Sequence, residues 1–166
     1  MAKKLSPSVF TKAVLRSFML DSGLEPTLVG ANRFRLTGAT NGQVSFELDI
    51  HKDHTNRLGT IHGGTLASLV DFGGSLAVAS TGRFLTGVST DLNITYLSPG
   101  GKPGDLLKGT ATCEKIGKTL AYTSVVFHNS KGQLAARGSH TKYVAGAEGP
   151  DGLFAPPEGT KVDDLD

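Results

Sequence analysis

One cysteine, no tryptophan and no apolar run near membrane-spanning length set the first limits on this 166-residue chain. A lone Cys113 forms no internal disulfide and gives no basis for a cysteine zinc site, which fits a reducing compartment. A spanning helix needs about 20 apolar residues, and no segment approaches that. Aromatic residues make up only 7% of the chain, too few for the stacking platform that sequence-independent nucleic-acid binding uses. No nucleic-acid partner is expected. Acids are missing from the first twenty residues, which carry Lys3, Lys4, Lys12 and Arg16. The apolar block of a secretory signal is missing there too.

The length suits one domain with a tail. Charge divides unevenly along it. Of 17 bases and 15 acids, residues 146–166 hold one base, Lys161, and six acids, leaving 16 bases and 9 acids in residues 1–145, a net +7. A basic body favours an anionic partner. The Gly-, Pro- and acid-rich end reads as a poorly ordered tail.

Residues 6–20 read as an amphipathic helix with Val9, Phe10, Ala13, Val14 and Leu20 apolar, Ser6 as cap and Pro7 in the first turn. A basic, acid-free start suits a mitochondrial transit segment, but the apolar face suits packing on the domain better. The expected location is therefore cytoplasmic or mitochondrial. "GQVSFELDI" alternates, with Val44, Phe46, Leu48 and Ile50 on one face. "RFRL" precedes it across the hairpin link "TGATNG". "GVSTDLNITYL" places Val88, Thr90, Leu92, Ile94 and Tyr96 together, leaving Ser89, Asp91 and Asn93 opposite. Strands follow at 105–115, 118–129 and 133–145. The predicted order is helix, two strands, long helix, four strands. It gives an α+β fold with an antiparallel sheet wrapped on a central helix, residues 1–25 forming the N-terminal helix and link and residues 26–145 the domain.

The central helix carries the chemistry. "TIHGGTLASLVDFGGSLAVAS" is apolar at helical spacing yet holds Asp71, and a buried carboxylate needs a partner. The helix start at His62-Gly63-Gly64 offers unpaired N–H groups and a positive dipole end, able to polarise a carbonyl. Nine residues of helix separate His62 from Asp71, roughly 13 Å. Acting together requires two chains with antiparallel helices. His54, His128 and His140 lack metal spacing, so no metal is expected. Gly117-Lys118-Thr119 is not a P-loop, because Thr112 stands where the opening glycine belongs. No Gly-x-Ser-x-Gly elbow supports a serine hydrolase.

The segments "HTNRLGTIHGG", "LVDFGGSLA", "GVSTDLNITYLSP", "GKTLAYTSV" and "GSHTK" run in order through residues 54–142. In these segments the chain resembles the hotdog-fold acyl-coenzyme A thioesterases of the thioesterase superfamily member 2 type. The resemblance implies hydrolysis of fatty acyl-coenzyme A, medium to long chain rather than short. It implies a homodimer with sheets paired edge to edge, dimers pairing again, and an active site at the dimer interface. It assigns catalysis to Asn56, His62 and Gly63 of one chain with Asp71 and Ser89 of the other. Gly63 N–H and Asn56 would polarise the thioester carbonyl. Asp71 would act as base or nucleophile, Ser89 would position water, and His62 would hold Asn56 or assist the leaving thiolate. Coenzyme A is expected along Ser89, Thr90, Asp91, Tyr96, Gly117, Lys118, Thr119, Leu120, Ala121 and Tyr122, as part of the substrate; no other cofactor is implied. Gly73 and Gly74 depart from the pattern. They are expected to allow close helix approach at the dimer centre or to widen the acyl tunnel. A non-enzymatic acyl-coenzyme A binder, an aryl-coenzyme A thioesterase and a hotdog dehydratase are the competing readings.

Overall fold

The computed structural model describes residues 3–165; Met1, Ala2 and Asp166, the outermost residues of the two terminal segments read from sequence, lie outside the described residues. Ser6 accepts a hydrogen bond from the Val9 N–H and Pro7 occupies the first turn of α1, Pro7–Asp21. Phe10, Ala13 and Val14 are buried, as the amphipathic pattern requires, whereas Leu20 lies exposed in the last turn. A second helix, α2, Leu24–Arg33, replaces the expected link and crosses the boundary read at residues 25–26. Strands β1, Phe34–Thr40, and β2, Gln43–Asp49, form the hairpin. Val44, Phe46, Leu48 and Ile50 are all buried on one side.

A short 3-10 turn, Lys52–His54, leads through a loop to α3, Gly63–Ala79. Strands β3, Val88–Tyr96, β4, Leu106–Ile116, β5, Leu120–His128, and β6, Leu134–Tyr143, complete the chain's regular structure. All pairings are antiparallel in the order β1-β2-β4-β5-β6-β3. The concave face buries α3 along most of its length, including Leu66, Leu69, Val70, Phe72 and Leu76. This is the sheet-around-helix arrangement expected of a hotdog fold. No helix among the described residues is long and apolar enough to cross a membrane.

A run of rings fastens α1 to this core. Phe18 packs on Phe72 at 5.4 Å, Phe72 on Phe34 at 5.0 Å, Phe34 on Phe46 at 5.1 Å and Phe46 on Phe127 at 6.1 Å. The acidic end contains turns but no helix or strand, and it lies along α1. Phe154 packs edge-on against Phe10, and Arg16 pairs with both oxygens of the Asp164 carboxylate.

Gly73 and Gly74 lie close against the sheet. A Cβ on Gly73 would sit 3.1 Å from the Phe46 ring, and one on Gly74 would sit 2.6 Å from Thr123 Oγ1 and 2.8 Å from His140 Nδ1. Two effects therefore compete in Gly74→Ala. Helix propensity favours alanine by about 1 kcal/mol. Overpacking against Thr123 and His140, both buried, costs about 1–3 kcal/mol because neither can swing aside. Net destabilisation by roughly 1–2 kcal/mol is expected, read as a lower denaturant midpoint at unchanged m-value. A rise in midpoint would show that the helix sits more loosely than described.

Candidate active site

Two groups of polar residues lie at opposite ends of β3. The first surrounds the start of α3. His54 is fully buried. Its Nε2 lies 2.6 Å from the Leu28 carbonyl of α2, and its Nδ1 accepts the His51 N–H at 3.0 Å. Its own carbonyl accepts from His62 N–H at 2.8 Å and from the Thr65 hydroxyl at 3.0 Å. One buried ring thus fixes α2, the loop and the helix start together. Within that loop Asn56 Oδ1 accepts from Leu58 N–H at 2.9 Å, and Nδ2 donates to Thr60 Oγ1 at 3.0 Å. An amide nitrogen has two protons, so one remains for a ligand.

His62 is the N-cap of α3. Its Nδ1 accepts the Gly64 N–H at 2.7 Å. The neutral ring therefore carries its proton on Nε2. Asn56 is held by Thr60 and its own loop, with no hydrogen bond from His62 among the described residues. The cap consumes the Gly64 donor, whereas Gly63 N–H has no acceptor among the described residues. The Gly63 carbonyl accepts from Tyr96 OH at 2.7 Å. Tyr96, expected beside coenzyme A, is thus also a strut under the helix start.

The second group surrounds Asp71, whose side chain is 50% exposed. His140 Nε2 lies 3.9 Å from Asp71 Oδ1 and 2.8 Å from Ser89 Oγ. Thr123 Oγ1 donates to the His140 carbonyl at 2.8 Å. Lys142, 3% exposed, donates from Nζ to Ser75 Oγ at 2.6 Å. His140 Nδ1 is buried without a hydrogen-bond partner among the described residues and faces α3 beside Gly74.

Ser89 reaches this cluster because of a bulge. The β3–β6 register shifts between Ser89 and Asp91, and the extra residue reverses side-chain parity. Leu92, Ile94 and Tyr96 keep the predicted face; Val88, placed with them by simple alternation, is 64% exposed, while Ser89 turns inward to His140. Thr90 spans the bulge, its hydroxyl donating to the Thr141 carbonyl at 3.1 Å. The remaining coenzyme A candidates lie around the β4–β5 turn, where Gly117 N–H donates to the Leu120 carbonyl. That turn shares a sheet end with Ser89, since Tyr143 pairs with both Val88 and Leu120. Ala121 is fully buried against Val78, Val144 and Ala147, so its side chain belongs to the core. Tyr122 is 42% exposed.

His140 and Lys142 are buried polar residues beside Asp71 that periodicity alone does not place there. Burial pushes the His140 imidazole below the ordinary histidine value; nearby Lys142 pushes the same way and Asp71 opposes. Burial likewise lowers His54, against the pull of the Leu28 carbonyl. Both rings therefore bind fewer protons folded than unfolded once pH drops below about 6.5. Their contribution to stability is complete above that value and is lost as pH falls through their folded values. Melting temperature is expected to fall between pH 7 and 5, with the His54 and His140 ring resonances titrating below about pH 6.5. Titration of both at or above that value would contradict the burial argument.

The signature of the thioesterase superfamily matches residues 58–136. Human acyl-coenzyme A thioesterase 13 is 45% identical over 113 residues, covering 68% of this chain and 80% of that protein. The crystal structure of zebrafish thioesterase superfamily member 2 superposes with a TM-score of 0.74 at 34% identity, covering 85% of this chain and 99% of that one. The structure of a hypothetical thioesterase from Streptococcus pneumoniae with coenzyme A gives 0.63 at 26% identity, covering 68% and 89%. Sequence, fold and relatives agree, and the chain belongs to the thioesterase superfamily.

Proposed function

We propose that the protein hydrolyses fatty acyl-coenzyme A, of medium to long chain, to fatty acid and free coenzyme A at a site shared by two copies. The observation that carries this is the separation of the two groups. Gly63 and Asp71 are about 12 Å apart along α3, and Ser89 and Tyr96 roughly 20 Å apart along β3. One thioester cannot touch both within a chain. Strand β3 is a sheet edge, paired among the described residues only with β6. If two β3 edges pair antiparallel about a two-fold axis near the middle of the strand, the Ser89 end of one copy falls beside the Tyr96 end of the other. The Asp71 group then meets the Gly63 group. Dimers of this kind pair again into tetramers in this reading.

The chemistry follows from the groups so joined. Gly63 N–H, at the positive end of α3, and the free Asn56 proton receive the developing oxyanion. Asp71 takes a proton from a water held by Ser89, and the hydroxide attacks the carbonyl carbon. Collapse breaks the carbon–sulfur bond, and the proton passes to the departing sulfur. His140 cannot be that base, because its ring is fully buried whereas Asp71 meets solvent. Ser89 to Asp91 and the 117–122 turn, with Lys118 toward phosphate, receive coenzyme A. The net +7 of residues 1–145 favours this polyanion.

Thiol release from a panel of acyl-coenzyme A esters, short to long and aromatic, tests the reading. Turnover rising toward medium and long chains is expected. A preference for aromatic esters moves the substrate class, and tight coenzyme A binding without turnover on any ester leaves a binding protein.

A further inference from the structure

Beyond the catalytic groups, the interior holds a cation that the reaction scheme does not use. Lys142 is 3% exposed and has one hydrogen-bond acceptor among the described residues, Ser75 Oγ at 2.6 Å. An ammonium has three donors, and burying one is costly unless a charge offsets it. No carboxylate lies within salt-bridge distance of Lys142 among the described residues, so the offset comes from further away.

The elements around it carry few charges. Along α3, Asp71 is followed one turn later by Ser75; along β6, His140 is followed two residues later by Lys142. The two elements meet in two rungs. Asp71 faces His140 at 3.9 Å and Ser75 faces Lys142 at 2.6 Å, so the ammonium lies about one helix turn from the carboxylate. Glu25 of α2 is the other acid that acts on Lys142, and Asp91 of β3 acts on His140. His140 stays neutral through burial, leaving Asp71 as the charge that answers Lys142 at the site.

We infer that Lys142 is a positioning residue: anchored on Ser75, it holds the Asp71 carboxylate electrostatically at the mouth of the buried cluster, so that this group faces the partner half-site. Ser75 supplies the anchor and Lys142 supplies the charge. The inference rests on the thioesterase reading for its effect on turnover, but the pairing itself does not.

Two measurements test it. In Lys142→Met the side-chain volume remains and the charge is lost; in Lys142→Gln a donor to Ser75 remains and the charge is lost. Both are expected to lower kcat by about tenfold or more while KM for acyl-coenzyme A stays within about twofold, because neither touches the coenzyme A surface. Full kcat in Lys142→Gln alongside a loss in Lys142→Met would assign the effect to the Ser75 hydrogen bond and overturn the charge role. Parent kcat in both would overturn it as well.

The second measurement needs neither turnover nor a lysine variant. Burial lowers Lys142, and Asp71 opposes that shift. The Nζ resonance of Lys142 is expected to titrate lower in Asp71→Asn than in the parent. An unchanged titration would show that the two groups are not paired. If the parent hydrolyses no ester, the thioesterase reading fails on its own, and this titration still decides the pairing.

Discussion

Asp71→Asn is expected to lower kcat for thioester hydrolysis by about 10³-fold, equivalent to ~4 kcal/mol of transition-state stabilisation, while coenzyme A binding persists. Asparagine keeps the shape of the side chain and removes its capacity to take a proton. General-base catalysis contributes roughly 10²–10⁴-fold, so a middle value is assigned to Asp71. The fold should be little affected. The side chain is 50% exposed, and its nearest polar contact, His140 Nε2 at 3.9 Å, is beyond hydrogen-bond distance. Steady-state kinetics paired with thermal unfolding separates the two effects. A variant within tenfold of the parent rate would remove Asp71 from the chemistry.

The second large effect comes from a surface that touches no substrate in the single chain. Asn93 and Thr95 are exposed on the outer face of β3, beside Arg137 and Ser139 of β6. Replacing both by glutamate gives Arg137, the β6 partner of Thr95, an opposite charge and so keeps the β3–β6 ladder, but with Asp91 it sets like charges against one another across a β3–β3 seam, where opposed like charges destabilise pairing. The double variant is expected to sediment as a monomer, keep its circular dichroism spectrum and lose activity by about 10³-fold or more, as Asp71→Asn does. The size of the loss follows from the roughly 12 Å between Gly63 and Asp71 along α3. A monomer offers either the oxyanion donors or the base to a thioester, never both. An active monomer would place the whole site within one chain.

Much of this architecture is legible in the sequence because burial imposes period. Val44, Phe46, Leu48 and Ile50 alternate and are buried; the apolar run from Leu66 to Ala79 is the central helix; Ser6 and Pro7 open α1. Helix α2 is hidden because its ten residues include Pro26 and Gly30, which interrupt a helical pattern. Pro26 falls in the first turn, where a missing N–H costs nothing, and Gly30 takes φ +59 near the end. The site is legible only in part. Ser89 is on the wrong face by alternation, and only the bulge at Thr90, invisible to a period-two reading, brings it to His140. Helix glycines 73 and 74 suggest a helix–helix contact, but their space is filled by Phe46, Thr123 and His140 of the sheet.

The inward placement of His140 and Lys142 has a trace in the sequence. Strand β6 carries Arg137, Ser139 and Thr141 on one side and Gly138, His140 and Lys142 on the other, so both faces look polar. One of the two must nevertheless cover the central helix. The face with the small residues Ala136 and Gly138 is the one that can approach α3 closely, and a histidine and lysine sharing it are committed to the interior. Lone polar residues at such positions mark a site, since burial without partners is costly.

The central claim is that two chains share each site, and subunit mixing tests it directly. Asp71→Asn lacks the base; Asn56→Ala lacks an oxyanion donor, a loss of about 10²–10³-fold. Each protein alone is expected to be nearly inactive. After exchange, half the dimers are mixed, and a mixed dimer has one intact site and one doubly broken site. Thiol release from an equal mixture is therefore predicted to recover to about one quarter of the parent rate. A mixture shown by mass to contain mixed dimers, yet no more active than its parts, would contradict the shared site.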